Sequence, residues 1–160
     1  MNQDKKLERT LVLLKPNIVM RGLMGEIITR FERKGLRIVG MKMMQFSDAL
    51  LAEHYAHLVA KPFFPILRNS MQATPVVALC LEGLDVVRVV RAMAGPTNGR
   101  DAQPGTIRGD YSVSNQHNVV HASDCVEVAA VELARFFQAD EIFELGDLNI
   151  NRLYALDELD

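Results

Sequence analysis

The sequence is short of most features that would mark a secreted, membrane-spanning or nucleic-acid-binding protein. It has only two cysteines, Cys80 and Cys125, with no pairing pattern, which argues against a disulfide scaffold and fits a reducing compartment. No apolar run approaches the roughly 20 residues that cross a bilayer; stretches such as "VVALCL" are far shorter. The charged start "MNQDKKLER" precedes only a short apolar run, so no signal peptide is expected and the chain is expected in the cytoplasm. A net charge of −2 gives no general basic surface for nucleic acid. Low-complexity tracts, internal repeats and linkers are also missing, so residues 1–160 read as one domain.

What is present is a regular alternation of apolar patterns. "TLVLLKP" reads as a buried strand stopped by Pro16. Leu23, Ile27, Ile28 and Phe31 then fall on one face of a helix that Gly35 ends. "LRIVGMKMMQF" is extended, and "SDALLAEHYAHL" is a helix capped by Ser47 or Asp48. "PFFPILRNSM" suggests a helical turn or two, and "PVVALCLEG" a central strand apolar on both faces. "LDVVRVVRAM" forms a helix with Val86, Val87, Val90 and Met93 inward. After a strand end at "VVH", a last long helix starts at "SDCVEVAAVELARFF". Asp124 and Glu127 form its capping box, and Val126, Ala129, Ala130, Leu133 and Phe137 its apolar stripe. This order is that of a split βαβ sheet with helices packed on one face.

Residues 94–117 break the alternation. A loop this long is either functional or disordered, and the embedded "PGTIRG" argues for order. It runs into "NVVHASD", where His121 stands between an apolar pair and a helix start. Neither a Walker-type phosphate loop nor a strand-linked G-x-G-x-x-G is present. The histidine pairs His54/His57 and His117/His121 have spacings compatible with one helix face, but nothing completes a zinc set, and the first pair reads as a solvated face.

A histidine at a strand end before a helix meets backbone N–H groups that favour an anion. Glu132, two turns into the helix, could bind one ring nitrogen and leave the other free. Lys15, Arg91, Thr97 and Arg108 are the remaining anion-friendly groups. From the residues alone, a phosphate-handling nucleophile and a satisfied core histidine both stay open.

From about Thr10 to Phe137 the sequence resembles the nucleoside diphosphate kinases. The resemblance is carried by "TLVLLKPNIVMRGLMGEIITRFERKGLRIVGMKMM", "HYAHL…KPFFPIL", "PVVALCLEG", "RAMAGPTNGRDAQPGTIRGD" and "NVVHASD". "PGTIRGD" followed by N-x-x-H-x-S-D is its most specific element. The resemblance implies an α+β, ferredoxin-like split βαβ sandwich: a four-stranded antiparallel sheet with helices packed around it. It implies ping-pong γ-phosphoryl transfer between nucleoside triphosphates, typically ATP, and diphosphates through a phosphohistidine on His121.

The catalytic set it implies is His121 with Lys15, Tyr55, Ser123 and Glu132, the last two holding and orienting the ring. Nucleotide is held by Lys15, Arg91, Thr97, Arg108 and Asn118, with Tyr55 also on the phosphates, Phe63 under the base and Leu67 as its apolar neighbour. Mg²⁺ is expected on the nucleotide phosphates rather than on dedicated protein ligands. A homo-oligomer is implied, a hexamer in preference to a tetramer, because the segment 139–160 is long and Tyr154 sits where longer members place an aromatic residue. No membrane or specific nucleic-acid partner is expected.

Several letters depart from the family pattern. Ala122 replaces the usual glycine of N-x-x-H-G-S-D, and activity is expected to survive. Gly99 replaces the proline of T-N-P, which puts the rigidity of the loop in question. His117 stands where arginine is common. The competing functional classes are a catalytically silent relative, which should have lost the histidine or a phosphate-holding arginine, and a nucleic-acid-binding protein, which should carry a basic stripe.

Overall fold

The computed structural model describes residues 7–146 and 149–159. The alternating segments become β1 (Glu8–Leu14), α1 (Pro16–Met20), α2 (Met24–Lys34), β2 (Arg37–Met44), α3 (Asp48–His54), α4 (Phe64–Met71), β3 (Val76–Gly83) and α5 (Val86–Ala94). They are followed by α6 (Ile107–Tyr111), β4 (Val120–Ala122), α7 (Val126–Phe136), α8 (Ile150–Leu153) and α9 (Leu156–Leu159). The four strands form one antiparallel sheet in the order β2-β3-β1-β4. This is the ferredoxin-like α+β arrangement.

Helices cover both faces of the sheet, not one. Alternate residues of the two central strands feed separate cores. Val12, Leu14, Val77, Leu79 and Leu81 meet Ile27, Phe31, Val86, Val90 and Ile107 on one side. Leu11, Leu13, Val76, Ala78 and Cys80 meet Leu51, Met71, Leu133 and Phe136 on the other. Every residue of β3 is buried, as its unbroken apolar run requires.

Local signals set the helix ends. Gly35 adopts φ +93° and closes α2 with its N–H on the Glu32 carbonyl. Ser47 caps α3, accepting from the Leu50 N–H at 3.1 Å. That helix stops at His54, short of the pattern's end, and a 3₁₀ turn follows at Ala56–Leu58. Asp124 does not cap α7. The cap position is Cys125, whose side chain makes no capping bond, and Val126 and Ala130 are exposed. The buried stripe is Ala129, Glu132, Leu133 and Phe136. The N-cap thus falls one residue later than the capping box suggests, and the buried face includes the Glu132 carboxylate.

The long loop is ordered. It contains a 3₁₀ turn at Gly99–Asp101 and then α6, whose N-terminus Thr106 caps through the Gly109 N–H. Arg30 fastens it to α2 by bonds to Asp110 (2.5 Å) and the Gly105 carbonyl, with its guanidinium 4.7 Å above the Tyr111 ring. Gly99 is buried: an added Cβ would lie 2.3 Å from the Ser112 carbonyl oxygen, while its N–H donates to the Ser114 carbonyl. The lost proline is thus replaced by a close backbone approach. The C-terminal segment crosses β2, with the Phe143 N–H on the Val39 carbonyl, and the Tyr154 hydroxyl accepts from the Leu84 N–H at 3.1 Å.

Candidate active site

The site begins with β4. Antiparallel pairing sets His121 opposite Leu13 and Ala122 opposite Val12. Ala122 packs with Val12 in the first core, so its methyl points away from the His121 ring across the strand. Just before β4, Val119 has φ +65° and the Val120 N–H closes onto the Asn118 carbonyl at 2.8 Å. A γ-turn at a β-branched residue is strained and persists only where its surroundings enforce it. Here Val119 is fully buried, and its carbonyl accepts the Lys15 N–H. The turn therefore ties the end of β1 to the approach of His121.

The histidine is held on one side only. Its Nε2 lies 2.9 and 3.0 Å from the two Glu132 carboxylate oxygens, and the Ser123 hydroxyl donates to Glu132 Oε2 at 2.6 Å. Burial alone would raise the Glu132 carboxyl, but the bonds from His121 and Ser123 outweigh it and hold Glu132 below the usual carboxylate range. An ionised carboxylate requires a proton on Nε2, which leaves Nδ1 with its lone pair.

Against the His121 ring lies His54, centroids 4.6 Å apart and planes at 80°. The expectation of a solvated His54 is overturned: its exposure is 7%, and Phe46, Tyr55 and Phe136 complete its surroundings. Burial and the neighbouring His121 push it down to about 3, so the ring is neutral at any working pH. Its spacing from Leu51, one helical turn earlier on the same buried face, was the signal available in the sequence.

A cavity of about 960 Å³ opens over this network. It is lined by Lys15, Tyr55, Arg91, Thr97, Arg108, Asn118, His121 and Glu132, residues from every part of the chain that the sequence pointed to. Ser123 is fully buried beneath it. Phe63 and Leu67 do not line it; Phe63 lies at the entry to α4, 41% exposed, and Leu67 packs partly on the second core. His117 is exposed in the turn before β4, so it shares no helix with His121. A larger groove of about 1570 Å³ runs beside the C-terminal segment, but Arg9 and Arg37 there are both engaged by Glu82.

Three cations, Lys15, Arg108 and Arg91, lie close to one another in the cavity. Lys15 bonds Asn118 Oδ1 at 2.6 Å, and desolvation with the nearby Arg108 charge pushes its ammonium down to about 7. Arg108 donates to the carbonyls of Gly95, Asn118 and Val120 at 2.6 to 3.1 Å; burial and Arg91 lower it to about 10 and leave it protonated. The buried Tyr55 hydroxyl has no partner and is shifted upward by desolvation and Glu132. Tyr55 is among the residues that line the cavity, and an unpartnered buried hydroxyl calls for an explanation such as a ligand. Among the described residues, His54, His121 and Glu132 are the one group that brings metal-ligand atoms within 4.8 Å of one another. His54 Nδ1, however, already faces Arg135 at 3.3 Å, and Lys15 adds a further charge against a cation. The arrangement suits an anion attacked by Nδ1.

The family model described as nucleoside diphosphate kinase matches residues 8–142. A nucleoside diphosphate kinase of Parabacteroides distasonis is 59% identical over 152 residues, spanning 95% of this chain and 99% of that protein. Nucleoside diphosphate kinase A of Homo sapiens is 48% identical over 147 residues, spanning 92% and 97%. A solved structure of a halophilic nucleoside diphosphate kinase from Halobacterium salinarum in complex with CDP matches with TM-score 0.89 at 43% identity, covering 93% of this chain and 99% of that one.

Proposed function

The chain belongs to the nucleoside diphosphate kinase family, and from that membership we propose how its own residues perform the transfer. The activity is the family's: ping-pong movement of the γ-phosphoryl group from a nucleoside triphosphate to a nucleoside diphosphate. The nucleophile is His121 Nδ1. Its lone pair bonds to the γ-phosphorus as the bond to the β,γ-bridging oxygen breaks, and the diphosphate leaves with that electron pair. In the second half, a terminal oxygen of an acceptor diphosphate attacks the same phosphorus and the N–P bond breaks.

As the N–P bond forms, the ring gains positive charge, which Glu132 offsets through Nε2–H. Ser123 keeps that carboxylate in place. Lys15, Arg91 and Arg108 balance charge on the phosphate oxygens, and Tyr55, Thr97 and Asn118 supply directed hydrogen bonds. Phe63, exposed at the start of α4, is the surface for one face of the base, with Leu67 beside it. Stacking ignores base identity and suits a broad substrate range.

Mg²⁺ suits this site as a passenger of the nucleotide. It prefers oxygen ligands, whereas the one metal-grade cluster among the described residues has two imidazoles and nearby cations. When bound it neutralises phosphate charge. The 1–160 stretch is proposed to act as one domain, with 94–117 as its active-site loop and 139–160 as a C-terminal extension. A homo-oligomer, hexameric rather than tetrameric, is proposed from the long C-terminal segment and from β2, an outer strand exposing Met41 and Met43. The unpaired cysteines Cys80 and Cys125 support a cytoplasmic location.

The carrying observation is the two-oxygen grip of Glu132 on His121 Nε2, which leaves one nucleophilic nitrogen. The test is incubation with γ-labelled ATP and Mg²⁺. An acid-labile, base-stable phosphoprotein should form and chase onto GDP. Label that persists in His121→Ala would sink the assignment.

A further inference from the structure

Four carboxylates line the cavity, and three have partners away from the cations proposed to grip phosphate. Glu132 serves His121 and Ser123. Glu53 holds Arg135 at 2.9 Å. Glu127 folds back onto its own N–H and Cys125. Asp124 differs. Released from the capping role its position suggests, it reaches Arg91 at 2.6 Å, joining the last turn of α5 to the segment that follows His121.

The three cations differ in the same way. Lys15 is held by an amide oxygen and Arg108 by three backbone carbonyls, all neutral. A phosphate can add to such partners without competing for charge. Arg91 alone of the three is paired with a full negative charge, the Asp124 carboxylate. Both partners are open to solvent, Asp124 at 78% of its side-chain surface, so exchange of one anion for another needs no rearrangement of the core.

We propose that Asp124 is a resident counter-ion of Arg91 that incoming nucleotide phosphates must displace, and that it thereby sets nucleotide affinity without taking part in the transfer. This rests on the reading of Arg91 as a phosphate-binding residue. The carboxylate keeps Arg91 extended toward the cavity in the empty enzyme and retakes it as product leaves.

Asp124→Asn keeps the shape and removes the charge. An exposed ion pair of this kind limits the effect to about two- to fivefold. ADP should bind that much more tightly by calorimetry, and KM should fall with kcat no higher than before. Adenosine, which has no phosphate, should bind equally to both proteins. Raising salt to about 1 M should close the gap, because exposed charges are then screened. In an Arg91→Ala background the Asp124→Asn change should have no effect. Unchanged or weaker ADP binding in Asp124→Asn, with Arg91→Ala still weakening ADP, would overturn the counter-ion role alone. If Arg91→Ala leaves ADP binding intact, the phosphate-grip reading of Arg91 fails instead.

Discussion

The two sides of the cavity are built on different terms. Beneath it, His121, Glu132, Ser123 and His54 form a network closed by the protein itself: hydrogen bonds of 2.6 to 3.0 Å, a His54–His121 ring contact of 4.6 Å, and burial of every member but the partly exposed His121. Above it, Lys15, Arg91 and Arg108 sit at element ends or in the long loop, bonded to partners that a phosphate could join or replace, with Thr97 in the same lining. Under the function proposed above, the difference separates two tasks. Orienting a nucleophile requires geometry fixed before substrate arrives, whereas gripping a charged substrate that must also leave requires contacts that exchange.

The largest expected effect strikes the closed side. Glu132→Ala removes the acceptor that fixes the His121 tautomer, and kcat should fall about 10²-fold or more while nucleotide affinity changes little. Rapid-quench measurement of phosphoenzyme formation checks this. A large loss of ADP affinity with an intact transfer step would erase the distinction between the two sides.

Next in size is a change in the loop that carries the open side. Gly99→Pro would restore the family's usual residue, yet here it should destabilise the fold by about 2 kcal/mol or more. The ring would enter the space within 2.3 Å of the Ser112 oxygen and remove the N–H that bonds the Ser114 carbonyl. Thermal unfolding measures this. A variant more stable than the parent would show that the loop is loose enough to repack, and that the open side lacks the ordered support described.

Much of this was legible in the letters, and the failures share a cause. Strand and helix runs were readable because burial imposes a period on apolar residues, and the resemblance placed His121, Glu132 and the cations residue by residue. His54 and Asp124 were misread because each looks ordinary in its local window: a polar residue in a mixed helix and an acidic residue at a helix start. Their roles depend on partners 67 and 33 positions away, His121 and Arg91, that only the sheet brings near. The two-sided core escaped for the same reason. Alternation along β1 shows that two faces exist, but not that helices arrive on both.

A smaller effect concerns Lys15. In the empty enzyme its ammonium is pushed down to about 7, so at pH 8 most copies are neutral. Phosphate should restore the charged form, and binding should therefore take up a proton, approaching one per nucleotide. The apparent affinity should weaken by up to tenfold per pH unit above 7 until Lys15 would be neutral even in the complex. Calorimetry at pH 8 in buffers of different ionisation enthalpy measures the uptake directly. Stability runs the opposite way with pH: the unfolded chain binds the extra proton between about 7 and 10.5, so the destabilisation from burying Lys15 fades as pH rises across that window. No proton uptake would mean that Lys15 is already charged, and that the open side is as finished before binding as the closed one.

The smallest effect is expected at Ala122, the residue that departs from the family motif beside the nucleophile. Strand alternation sends its methyl into the core with Val12, while His121 faces Glu132 and His54 on the other side. Ala122→Gly should therefore lower stability by about 0.5–1 kcal/mol through lost packing and a freer unfolded chain, and leave the rate of phosphoenzyme formation unchanged. A change in that rate without a change in stability would mean that β4 transmits strain across its two faces. The closed side would then depend on the core behind it, and the nucleophile's geometry would no longer be the work of Glu132, Ser123 and His54 alone.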